Sequence, residues 1–189
     1  NFIAIGDKRL YVWEQLLCSL ILYSSDEFFR AIFQRMFEID VIPSPSCFQH
    51  VARSLFLRTY NLLRLSYDAE LFEKGLLPAD TELSKSISDL LQFRQQGGVV
   101  LDSTTMNFIL LALARGRLLD QFTSLSAELI NGSSIVKDFQ LDIYGYIAHI
   151  TSIIHRHSLL DSASPLNEVD SLKQKALSSN VPERVRGNG

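Results

Sequence analysis

The chain of 189 residues is 47% hydrophobic and 21% charged, with a formal net charge of −3, which is the balance of an ordinary folded protein with room for one sizeable core. No apolar run approaches the roughly 18 to 20 residues of a transmembrane helix, so no membrane span is expected; the longest, Leu16 to Tyr23, is short and carries Cys18 and Ser19. The acidic balance counts against indiscriminate phosphate binding, and two cysteines, Cys18 and Cys47, make neither a disulfide framework nor a four-ligand zinc site.

The chain begins with Asn and reads as a fragment or processed product, from which any targeting segment would be missing. From Leu10 to Tyr23, Val12, Trp13, Leu16, Leu17, Leu20 and Ile21 recur at helical spacing and give one buried face. Ser24-Ser25-Asp26 supplies a turn and an N-cap, and Phe28, Phe29, Ile32, Phe33, Met36 and Phe37 stripe a second helix. Pro43 and Pro45 end that helix, because proline disfavours helical geometry in the residue before it. A third helix runs from about Ser46 through Phe48, Val51, Ala52, Leu55 and Phe56, with a break expected near Thr59 and an end at Gly75. Ile87, Leu90, Leu91 and Phe93 mark a helix that stops at Gly97-Gly98. Asp102 or Ser103 caps the next, which carries Met106, Ile109, Leu110 and Leu113. Gly116 turns the chain into Leu118 to Ile130, Asn131-Gly132 stops it, and Ile143 to Ile154 is the last helix. Residues 1–160 therefore read as one all-α domain, and 161–189 as a polar extension that is disordered after about residue 178.

The pattern repeats. A shift of 35 residues brings Trp13 onto Phe48, Leu16 onto Val51, Leu20 onto Leu55, Met36 onto Leu71 and Pro43 onto Pro78. Such a period marks stacked helical hairpins, each completing the core of its neighbour. The match is not uniform: the same shift sets Phe33 on Asp68, and Pro78 to Leu101 is only 23 residues, so that one helix near 81–96 is unpaired or one hairpin is truncated.

The stretches "VIPSPSCFQHVARSL", "VVLDSTTMNFILLAL" and "ARGRLLDQFTSLSAEL" resemble the pentatricopeptide repeat. Thr105-Met106-Asn107-Phe108-Ile109-Leu110, with Met106 in place of the aromatic, and Ser46-Cys47-Phe48-Gln49-His50-Val51, with Phe48 in place, are similar to its start of a hydroxyl, an aromatic, a short polar residue and aliphatics, and Gly116-Arg117-Leu118 to its inner turn. The resemblance covers about residues 8 to 157. It implies a right-handed α-solenoid of four to five hairpins; a tetratricopeptide array, of period 34, is the nearest rival, but its small-residue and Trp/Gly/Tyr pattern is absent. It implies binding of single-stranded RNA (an organellar transcript or ribosomal RNA) in transcript stability, processing or translation, in the mitochondrion or else the plastid. A scaffold that binds a partner helix or peptide is the alternative.

The family's base-reading positions fall on Glu14, Gln49, Ser84 and Asn107, and on Ser44, Ala79 or Asp80, and Asp138. Asn107 with Asp138 is the one pairing of suitable hydrogen-bonding types, although either residue also suits a helix cap or a solvated surface. Arg53, Arg115 and Arg117, with Arg58, Arg64, Arg94, Lys74 and Lys85 nearby, form a candidate phosphate strip, because local field depends on the distribution of charge. The expected RNA contacts are Gln49, Asn107, Asp138, Arg53, Arg115 and Arg117. His155 and His157 lie two apart on a helix, face different ways and are not expected to bind metal. No phosphate loop, nucleophile elbow or zinc-helix motif is present, so neither catalysis nor a cofactor is expected.

Overall fold

The computed structural model describes residues 10–16, 26–65, 81–132, 134–160 and 174. Among these residues there are seven helices and no strand: α1 (residues 10–16), α2 (Asp26–Glu38), α3 (Pro45–Leu65), α4 (Thr81–Gly97), α5 (Ser103–Arg115), α6 (Leu119–Ile130) and α7 (Ile143–Leu160). The expected turn at Ser24-Ser25, the apolar run from 66 to the Gly75 cap, Cys18, Lys74, Pro78, Ala79, Asp80 and the extension after 178 lie outside the described residues.

Helix α5 organises the core. Its sequence is apolar all round, and every residue from Thr105 to Ala114 is buried, the signature of a helix surrounded by others. It packs most extensively on α3 and α7, and less on α4 and α6. Helix α2 buries Phe29, Ile32, Phe33 and Met36, and α4 buries Leu83, Ser86, Ile87 and Leu90, each at steps of three and four that align on one side. The Phe33 ring meets Phe48 at 5.1 Å and the edge of Phe93 at 5.5 Å, tying α2, α3 and α4 together.

Helix α4 is not left without a partner. Arg30 of α2 reaches it through Asp89 at 2.5 Å and Ser86 at 3.0 Å, and α4 also lies against α3 and α5. The break expected near Thr59 does not occur: α3 runs on to Leu65. Thr59 turns its hydroxyl back onto the Phe56 carbonyl at 2.6 Å, so this β-branched residue is held within the helix rather than ending it. Helix α7 likewise continues past Ile154 to Leu160.

Three helix ends share one device. The N–H of Val41 donates to Met36 O (2.8 Å), that of Val99 to Arg94 O (3.1 Å) and that of Leu118 to Leu113 O (3.0 Å). The residue before each donor is left-handed: Asp40 (φ 55°), Gly98 (φ 61°) and Arg117 (φ 59°). This closes the orphan carbonyls of the last turn. At the third end the strained angle sits on Arg117, and Gly116 is needed for space, since a Cβ there would meet Leu83 Cδ2 at 2.5 Å. Asp102 caps α5 as expected, accepting from the Thr105 N–H at 2.7 Å.

The connections into α5 and α7 run side by side. Leu101 donates to the Ile135 carbonyl at 3.1 Å, and Leu101 and Val136 form an isolated parallel bridge. Arg94 joins both connections, its Nε on Val99 O and its Nη2 on Ser134 O, each at 2.7 Å.

Candidate nucleic-acid interface

Asn107 was expected to face a base, but its side chain is 0% exposed. Its Nδ2 donates to the Gln140 carbonyl at 3.0 Å, which pins the connection into α7 onto α5. Its Oδ1 faces Gly145 so closely that a Cβ at that position would lie 2.3 Å away. Asn107 is thus a packing residue of the α5–α7 seam, and in this arrangement its amide does not meet solvent. Asp138 is exposed with φ 53°, on the connection that Asn107 holds; the two do not form a joint recognition edge.

Other proposed reading positions are also occupied within the chain. Ser44 donates its hydroxyl to the Glu14 carboxylate, so two of them satisfy each other. Ser84 accepts from Gln121 Nε2 at 2.6 Å. Cys47, buried beside Glu14 and Ser44, has its thiol pushed up to about 12, first by burial and then by the Glu14 charge, which keeps it protonated and unreactive near neutrality. Gln49 is half-buried in α3.

The arginines divide. Arg94 is committed to the two carbonyls. Arg117 is half-buried, and burial lowers its pKa from the usual arginine value. It faces His155, whose Nδ1 lies 2.9 Å from the Ala114 carbonyl and so carries the ring proton. Burial first and Arg117 second hold His155 below the ordinary histidine value; burial does the same to His149, which sits 3.2 Å from Ser126 Oγ with its ring against Phe122. Arg53 is exposed on α3. Arg115 is half-buried, its guanidinium carbon 4.8 Å from the centre of the Phe56 ring. Among the described residues, no three His, Cys, Asp or Glu side chains converge as a metal ion requires, and no helix is long and apolar enough to cross a membrane.

One feature was missed from the sequence. Phe56 of α3, Phe108 of α5 and Tyr144 of α7 touch in a row: Phe56 and Phe108 stack at 5.9 Å, Phe108 and Tyr144 meet at 4.7 Å, and Tyr144 and Phe56 at 6.2 Å. Phe108 is 6% exposed and Tyr144 37%. On α5 the stripe Thr104, Phe108, Leu111 and Arg115 follows helical spacing on this side. The available signal was the 36-residue separation of Phe108 and Tyr144, close to the repeat period. No protein-family model matches the sequence, and no curated protein matches it.

Proposed function

We propose that this chain is a short right-handed α-solenoid of the pentatricopeptide kind that binds single-stranded RNA in an organelle. The supporting observation is translational. Leu101 pairs with Val136, and Arg94 holds the carbonyls of Val99 and Ser134. In both cases the two residues are 35 positions apart, the interval at which the sequence pattern recurs, and this supports reading them as equivalent points of successive repeats. From Thr81 onward the helix–helix contacts join a helix to the next or the next but one, a pattern that stacked hairpins would also give. With Asn107 buried, the exposed Arg53, the half-buried Arg115 and the neighbouring aromatic row are the better RNA contacts.

A protein-binding scaffold is the second reading, favoured by the net charge of −3 and by exposed Ile42 and Val100 on the connections. Fluorescence anisotropy with a labelled pool of single-stranded RNA, competed by unlabelled single strands or by duplex of the same sequences, separates the two. The RNA reading expects binding that single strands displace and duplex does not. Absence of binding at low salt supports the scaffold instead, and equal displacement by duplex overturns the single-strand reading in favour of general phosphate binding.

A further inference from the structure

We infer that Tyr144, backed by Phe108 and Phe56, is a stacking platform for an unpaired nucleobase, with Arg53 and Arg115 meeting the adjoining phosphates. The inference rests on the single-stranded RNA reading above and gives each ring and arginine of that strip its role. The three rings come from three different helices and are locked against one another, so a base docking on Tyr144 finds a surface already ordered. Tyr144 is the most exposed of the three rings, Phe56 is half-buried, and Phe108 is buried against Tyr144.

The charge beside the platform has the sign that phosphate needs. Arg53 precedes Phe56 by three residues on α3 and is exposed, which places the two on neighbouring parts of one helix surface. The Arg115 guanidinium carbon lies 4.8 Å from the centre of the Phe56 ring, close enough for cation–π attraction to hold it beside the aromatic cluster. The stripe positions Gln49, Arg53 and Phe56 on α3, and Thr104, Phe108, Leu111 and Arg115 on α5, include no carboxylate. Asp142, two residues before Tyr144, has its Oδ1 occupied by the N–H groups of Tyr144 at 2.8 Å and Gly145 at 3.1 Å. The stripe thus carries two arginines on a chain that is acidic as a whole, and a local concentration of cations can attract phosphate despite a negative total. An aromatic face beside arginines suits single-stranded nucleic acid, because every base offers a π-face and duplex hides it. Recognition of this type tolerates sequence.

The test uses the full chain, labelled oligouridylate and oligoadenylate of about ten nucleotides, and anisotropy at two salt concentrations. Tyr144→Ala and Tyr144→Leu are compared with Tyr144→Phe, and thermal melts by circular dichroism confirm folding. Leu retains apolar cover over Phe108 without a π-face, so it decides the matter if Ala disturbs the fold. The expected result is a Kd raised about 5- to 150-fold by Leu and Ala for both oligonucleotides. The salt slope stays unchanged, and Phe binds like the unaltered chain. Binding by the unaltered chain with no loss in the folded Leu variant overturns the platform while leaving the RNA reading intact. Loss in Phe equal to that in Leu overturns it too, because the hydroxyl rather than the ring is then the contact. No binding by the unaltered chain overturns both and leaves the exposed ring to a protein partner.

Discussion

Asn107 and Gly145 show how one residue pair sets the approach of two helices. Gly145 allows α7 close to α5, and the amide of Asn107 fills the space. Gly145→Ala should destabilise the chain by about 1 to 3 kcal/mol through overpacking. In an Asn107→Ala background the same change should cost less, since the nearest atom it strikes is gone and only Leu141 Cδ2 at 2.8 Å remains in the way, with a coupling of at least about 0.5 kcal/mol in urea melts. Additive effects would contradict the contact. The two half-buried histidines give a second prediction at this scale. Their folded pKa values lie below the ordinary 6.5, so above that value both states are neutral and stability is complete. As pH falls from 6.5 towards the folded values, the unfolded chain takes up protons first and stability is lost. The melting temperature should fall as pH is lowered through 6.5, and less so in a His149→Gln, His155→Asn variant. Equal profiles would remove the histidines as the cause. Residue roles were the least legible part of the sequence. A polar residue at a motif position reads the same whether it faces solvent or a neighbouring helix, and for Asn107 the approach allowed by Gly145 decided it.

At the scale of elements, Arg94 holds two connections rather than a ligand. Arg94→Met should cost about 1 to 3 kcal/mol, the range for hydrogen bonds from a charged donor, and should speed hydrogen exchange at the Leu101 amide. Unchanged exchange there would mean that the connections hold without it. Phe33→Ala, at the junction of α2, α3 and α4, should cost about 3 to 5 kcal/mol, as large-to-small changes in a core do. Element type and most ends were readable, because the apolar stripes of α2 and α4, the Asp102 cap and the Gly97-Gly98 stop are local signals. Thr59 was misread as a break, since its propensity is weak and its hydroxyl bond to Phe56 O is invisible in a sequence. The partner of α4 was also hidden, because Arg30 and Asp89 are 59 residues apart and follow no repeat.

At the scale of the whole molecule, the all-α architecture of the described residues was legible from periodicity, and the 35-residue interval reappears in space between the paired connections. The candidate site was not. The arginine strip separates into a clamp at Arg94, a half-buried turn residue at Arg117, and Arg53 and Arg115 near an aromatic row assembled from three helices. The central claim, that this acidic chain binds single-stranded RNA through that strip, meets its most direct test in the salt dependence of RNA affinity for the unaltered chain and for Arg115→Gln. For a single strand, log K falls by about 0.7 per phosphate contact for each unit of log salt. Two arginine contacts predict a slope of about −1.4 in the unaltered chain and about −0.7 in the variant, with folding unchanged. No RNA binding at about 50 mM salt, or the same slope in both proteins, would contradict it.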